Sequence, residues 1–258
     1  RLQLNSGGII GASVPGTPII LSGRNEKLAW GVTASFLDDQ DIFIEELNSS
    51  NPNLYRTEEG WSTLKIDKQY IKIKNAPDIE IKREWTSNGP VLPKTAFNLS
   101  SITPKNHVAT LSWTALTEKD TTISAAINLM LSQSVQKGLD SLEDFHAPSL
   151  NFLLVDSKKM VLKTVGKMPR RSPLNQTQGR MPSIGWKPEN KWRGNWGYEV
   201  NPIIESSPGD ILGNTNNKIS KAKFPKHVSH FWGDTQRILR WQKLMQNREV
   251  HTRESFIE

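Results

Sequence analysis

Residues 14–46, VPGTPIILSGRNEKLAWGVTASFLDDQDIFIEE, constrain the fold of this 258-residue chain more than any other stretch. Ile19-Ile20-Leu21 and Leu28-Ala29-Trp30-Gly31-Val32 read as two short buried strands, and Ser22-Gly23-Arg24-Asn25-Glu26 between them has the glycine and asparagine chemistry of a hairpin turn. Gly31, Ala34 and Ser35 leave the main chain bare where it exits the second strand, so another group can approach it closely. Three carboxylates follow at once, Asp38, Asp39 and Asp41. A core hairpin emptying into a solvated acidic loop satisfies this pattern. So does a loop of hard oxygen ligands of the kind that hold Ca²⁺.

Downstream, short strands dominate. Gly60-Trp61 and Leu64-Lys65-Ile66 read as short strands, and residues 70–74 and 79–85 alternate on either side of an Asn75-Ala76-Pro77-Asp78 turn, with one wet, lysine-rich face. Residues 107–113 form a further strand. The period then changes: Ile123, Ala126, Ile127, Met130 and Leu131 recur at helical spacing and set the buried face of a helix over 120–134. A second helix over 139–146 ends at Ala147-Pro148. Residues 150–156 and 160–166 form a buried strand pair, 169–201 a long ordered loop of the kind that lines a site, and 208–217 a strand running into asparagines. Ile238, Trp241, Leu244 and Met245 carry a helix from Thr235, and Thr252 caps another that starts at His251. Strands, helices and strands without regular alternation indicate an α+β chain with largely antiparallel sheets. It reads as one partial domain over 1–258, with 235–258 opening a helical region.

Composition removes several classes of function. The net charge is +7, but the basic residues are dispersed, the densest run being Lys167-Met168-Pro169-Arg170-Arg171, and they lack the aromatic interleaving of a nucleic-acid platform. No partner nucleic acid is expected. The absence of cysteine excludes disulfides, thiolate metal sites and a cysteine nucleophile. No apolar run is long enough to cross a membrane as a helix. The opening RLQLNSGGII lacks the succession of a signal peptide, and without an initiator methionine the chain reads as an internal piece. GxSxG, Walker, GxGxxG and HExxH motifs are missing. His227 and His230 lie in one segment with no partner at ligand spacing. Nine tryptophans leave room for a different reading, a non-catalytic carbohydrate- or peptide-binding module.

The stretch VPGTPIILSGRNEKLAWGVTASFLDDQDIFIEEL resembles the penicillin acylase family of N-terminal-nucleophile hydrolases, in the β-subunit just downstream of the nucleophile. NFLLVDSKKMVLKTVGKMPRR, WRGNWGYEVNP, GDILGNTNNK, FWGDTQRI and HTRESF follow in the family's order. The resemblance implies part of an αββα sandwich with mostly antiparallel sheets. It also implies an amidohydrolase that cleaves N-acyl compounds, of penicillin or acyl-homoserine lactone type, through an acyl-enzyme formed by an N-terminal serine.

Carried over position by position, Ala34 resembles the residue whose main-chain N–H forms half of the oxyanion hole, Asn216 the residue whose side chain forms the other half, and Arg237 the supporting arginine. Ser22, Val32, Trp113 and Leu150 fall where the family lines its acyl pocket. Small, polar Ser22 stands where phenylacetyl-preferring members carry an aromatic ring. No cofactor is required, but Asp38, the Gln40 carbonyl and Asp41 resemble the family's Ca²⁺ loop. The family's later aspartate falls near Lys226, whose charge would repel the ion and favour bracing by a salt bridge. The serine is expected upstream of Arg1, so the piece alone is expected to hydrolyse nothing. Its expected partners are an α-subunit and the remainder of the β-subunit, in a periplasmic or secreted protein.

Overall fold

The structure is a computed structural model that describes residues 1–4, 7–207, 209–220, 229–246 and 250–257. Lys226 and His227 lie outside the described residues. Contacts divide the chain into two compact units, one of residues 1–37, 119–167 and 197–258, the other of residues 38–118 and 168–196.

The first unit is built on a seven-stranded sheet in the order Leu2–Leu4, Gly7–Ser13, Ile20–Arg24, Ala29–Ala34, Leu150–Val155, Met160–Val165, Ile203–Glu205. Every neighbouring pair is antiparallel. Register sets Leu154 opposite both Trp30 and Val161, so these three share a face. That face joins Ala125, Leu129 and Met130 of helix α1 (Thr122–Leu131) and Val135, Leu139 and Leu142 of helix α2 (Val135–Leu142) in one core.

Ser22 lies within a strand, and the turn expected at Ser22–Glu26 falls later, around Asn25. The reason is the Asn25 amide, whose oxygen accepts the N–H groups of Lys27 and Leu28, both at 2.8 Å. Its Nδ2 donates to the carbonyls of Met130 (3.0 Å) and Ser132 (2.8 Å), fastening the turn to the end of α1. All four of its hydrogen-bonding positions are used, which allows burial of a polar group.

Several further expectations are corrected. On α1 burial falls on Ala125, Ala126, Leu129 and Met130, whereas Ile123, Ile127 and Leu131 are exposed. The helix is apolar nearly all round, and sheet geometry rather than periodicity selects the inner face. Helix α2 begins at Val135, not Leu139, because Ser134 Oγ accepts from the Lys137 N–H and Asp156 accepts from the Val135 N–H. Residues 209–214 form no strand. After α3 (Gln236–Gln246), Thr252 Oγ1 accepts from the Ser255 N–H at the start of a single 3-10 turn, Glu254–Phe256.

The second unit holds two three-stranded sheets. In one, Ile79–Thr86 lies between Gly89–Pro90 and Lys65–Ile71. Its outer ribbon exposes Ile66, Tyr70, Ile71, Ile79 and Ile81, so both faces are open rather than only a lysine-rich one. In the other, Gln40–Glu46 lies between His107–Trp113 and Ser183–Ile184, the last pairing parallel. The expected loop 169–201 contains short strands, among them Pro169–Arg171 paired with Trp192–Asn195.

Candidate active site

The polar row that organises the first unit's site begins inside the sheet. Asn151 is paired in register with Thr33 on one side and Thr164 on the other, which puts three polar side chains on the face opposite Leu150, Phe152 and Leu154. Thr164 Oγ1 donates to Asn151 Oδ1 at 2.8 Å. Asn151 Nδ2 donates to Asn214 Oδ1 at 3.3 Å, and Thr33 Oγ1 donates to the same oxygen at 2.6 Å. Asn214 Oδ1 also accepts the main-chain N–H of Asn216 at 2.9 Å. Asn216 has φ +67°, a left-handed conformation that asparagine tolerates better than most residues. The sheet thus dictates the shape of the turn that carries Asn216.

The Asn216 side chain points back to the end of the Ala29–Ala34 strand, where Nδ2 donates to the Ala34 carbonyl at 2.9 Å. Its Oδ1 accepts from Arg237 Nη2 at 2.9 Å, one residue into α3. The guanidinium fixes which end of the amide is oxygen and polarises the amide, making its N–H groups stronger donors. An amide nitrogen carries two N–H bonds, and Ala34 takes one. Ser35 N–H donates to the Ser149 carbonyl, and Val32 N–H to Ser22 Oγ, both at 3.3 Å. Main-chain N–H groups alternate along a strand, so that of Ala34 points the same way as that of Val32. Two N–H donors therefore stand at one strand end, beside an exposed alanine whose side chain blocks nothing. Such a pair can stabilise an oxygen that becomes negative.

Of the residues expected to line a pocket, Ser22, Val32 and Leu150 all belong to the first unit's sheet, with Leu150 in its buried core. Ser22 bonds the Val32 main chain, and Leu150 lies opposite Ala34. Trp113 belongs to the second unit, where its Nε1 donates to Asp39 Oδ2 at 3.3 Å. There it lines a cavity of about 320 Å³ with Trp85, Leu111, Leu116 and Trp192.

Asp38, Gln40 and Asp41 converge on the guanidinium of Arg171. Nη1 donates to Asp38 Oδ2 at 2.9 Å, Nε to Asp41 Oδ2 at 2.9 Å, and Nη2 to Asp41 Oδ1 at 2.8 Å and the Gln40 carbonyl at 3.4 Å. The three groups do not fit a bivalent metal, because a cation already stands where they converge. Among the described residues no cluster of His, Asp and Glu is arranged to hold one. Burial pushes the Asp38 carboxyl up to about 6 although Arg171 pulls it down, and burial likewise raises Asp39.

Sequence reasoning misses Arg171, which reads only as part of the basic run over 167–171, and the Asn151, Thr33 and Thr164 row. The signal for the latter is Thr33, Asn151 and Thr164 interrupting three largely apolar strands.

The family model described as Penicillin amidase matches residues 1–258. The chain is 26% identical over 256 residues to acyl-homoserine lactone acylase QuiP of Pseudomonas aeruginosa, covering 96% of this chain and 29% of that protein. It is 24% identical over 241 residues to penicillin G acylase of Escherichia coli, covering 90% of this chain and 26% of that protein. The chain thus spans under a third of the length of these relatives. Among solved structures, a thermostable penicillin G acylase from Alcaligenes faecalis superposes with a TM-score of 0.84 at 21% identity, over 98% of this chain and 44% of that one.

Proposed function

Because the chain belongs to the penicillin amidase family, we propose that Ala34 and Asn216 form the oxyanion hole of an amidohydrolase that cleaves N-acyl compounds of acyl-homoserine lactone or penicillin type. Its α+β fold with mostly antiparallel sheets matches that of penicillin G acylase. The observation that carries the reading is the Asn216 amide held at 2.9 Å from Ala34 on one side and 2.9 Å from Arg237 on the other.

In the proposed reaction an N-terminal serine, expected upstream of Arg1, attacks the amide carbonyl with its own α-amino group as base. The carbonyl oxygen becomes negative and takes the Ala34 N–H and the second Asn216 N–H. Because both donors are fixed beforehand, stabilising the charge requires no reorganisation. Collapse expels the amine, and water then releases the acid from the acyl-enzyme. Ser22, Val32 and Leu150 are proposed to face the acyl chain. Ser22, small and polar, leaves space where an aromatic side chain would close the pocket against an extended chain.

The test is direct. The protein expressed from its complete coding sequence is incubated with N-acyl-homoserine lactones and with penicillins, and free acid and amine are quantified. Equimolar release from either class supports the reading, and no release from any N-acyl substrate by the matured protein contradicts it.

A further inference from the structure

We propose that Arg171 is a built-in cation that replaces a bivalent metal ion in the Asp38–Asp41 loop, so that this loop is braced without calcium. The guanidinium meets every oxygen such an ion would need from this loop, namely a carboxylate of Asp38, both oxygens of Asp41 and the Gln40 carbonyl. Its contact with Asp41 is two-pronged, through Nε and Nη2, the geometry in which a planar fork outperforms a point charge. The Arg171 and Asp41 side chains are 1% and 3% exposed, so water does not compete for these bonds.

The surroundings are shaped to the pair. Trp192 Nε1 donates to Asp41 Oδ2 at 2.6 Å, filling a lone pair that Arg171 leaves. Gly179, at φ +77°, passes so close that a Cβ there would lie 2.6 Å from both Arg171 Nη2 and Asp41 Oδ1. Pro169–Arg171 is itself a strand paired with Trp192–Asn195, so the arginine and the tryptophan reach Asp41 from one ribbon. Two ions of like sign cannot share this space, since the guanidinium would sit within contact distance of the metal. Neither member of the pair can be deleted cheaply, because each would leave the other buried and uncompensated.

Thermal unfolding and calorimetric titration of the complete protein test the proposal, with CaCl₂, MgCl₂ and the chelator EDTA as the probes. The wild-type protein is expected to keep the same Tm in EDTA and in millimolar CaCl₂, and to show no calcium-binding heat. Arg171→Ala empties the space between two carboxylates and a carbonyl. It is expected to lower Tm and to gain Ca²⁺ binding that restores at least half of the loss, whereas Mg²⁺, which tolerates only near-octahedral oxygen shells, restores less. Arg171→Lys keeps a charge without the fork and is expected to lose less Tm than Arg171→Ala, with no response to calcium. Loss of wild-type Tm in EDTA, calcium binding by the wild type, or a folded Arg171→Ala protein indifferent to calcium would each overturn the proposal. If Arg171→Ala does not fold, the wild-type and Arg171→Lys measurements still decide it.

Discussion

The side-chain amide of Asn216 donates to the main-chain carbonyl of Ala34 at 2.9 Å, joining residues 182 positions apart. What holds it there is Asn214, whose Oδ1 gathers the Asn216 N–H, Thr33 Oγ1 and Asn151 Nδ2. In the proposed reaction Asn214 acts through Asn216, as a positioning residue. Asn214→Ala is expected to lower kcat by about 10- to 100-fold with KM little changed, the cost of misplacing a donor by about an ångström. Asn214→Asp keeps the accepting oxygen and is expected to recover most of the accompanying loss in Tm. Steady-state kinetics beside thermal unfolding check this, and a rise in KM at constant kcat would count against it.

Gly179 and Gly194 both have positive φ, +77° and +81°, but only the first is crowded. Alanine at either position takes on backbone strain of about 1 kcal/mol or more. At Gly179 the added carbon also collides with Arg171 and Asp41, whereas at Gly194 it meets nothing within 4 Å. Gly179→Ala is therefore expected to lose more stability in chemical denaturation than Gly194→Ala, by about 1–3 kcal/mol. Equal losses would show that the buried ion pair does not depend on close fit.

Lys163 is buried in the sheet, with Nζ donating to the carbonyls of Asn201 (2.8 Å) and Tyr198 (3.0 Å). Burial lowers its pKa from 10.5 to about 8, and Glu199 only partly opposes this. Between those two values the unfolded chain holds a proton that the folded chain has released, so stability rises with pH across that window. Buried Tyr198, whose pKa is raised by burial, acts in the opposite sense only above about pH 10, where tyrosine ordinarily ionises. Denaturation between pH 8 and 10 is expected to show an upward slope in the wild type that is lost in Lys163→Met. A slope unchanged by the substitution would contradict this.

The strand pairs were legible because alternation and turn residues are local signals. His107–Trp113 was bounded correctly, and Leu150–Val155 with Met160–Val165 to within a residue. The inner face of α1 was not legible: Ile123, Ile127 and Leu131 make as good a stripe as Ala125, Leu129 and Met130, and only the sheet beneath decides between them. Sequence puts the turn at Asn25 too early because its asparagine is anchored by carbonyls more than 100 residues away. Arg171 lay hidden for the same reason, since nothing near Pro169–Arg171 in sequence announces partners 130 positions upstream. Ala34, Asn216 and Arg237 are candidates that only family resemblance offers. Their mutual bonds and the row beneath them came from register, which sequence alone does not fix.

The rate of amide hydrolysis by the complete protein carrying Asn216→Ala reports directly on the proposed oxyanion donor. Removal of one oxyanion donor is expected to lower kcat by about 10²- to 10³-fold while Tm stays within a few degrees of the wild type. An unchanged kcat in a folded, matured Asn216→Ala protein would show that Asn216 does not stabilise the oxyanion.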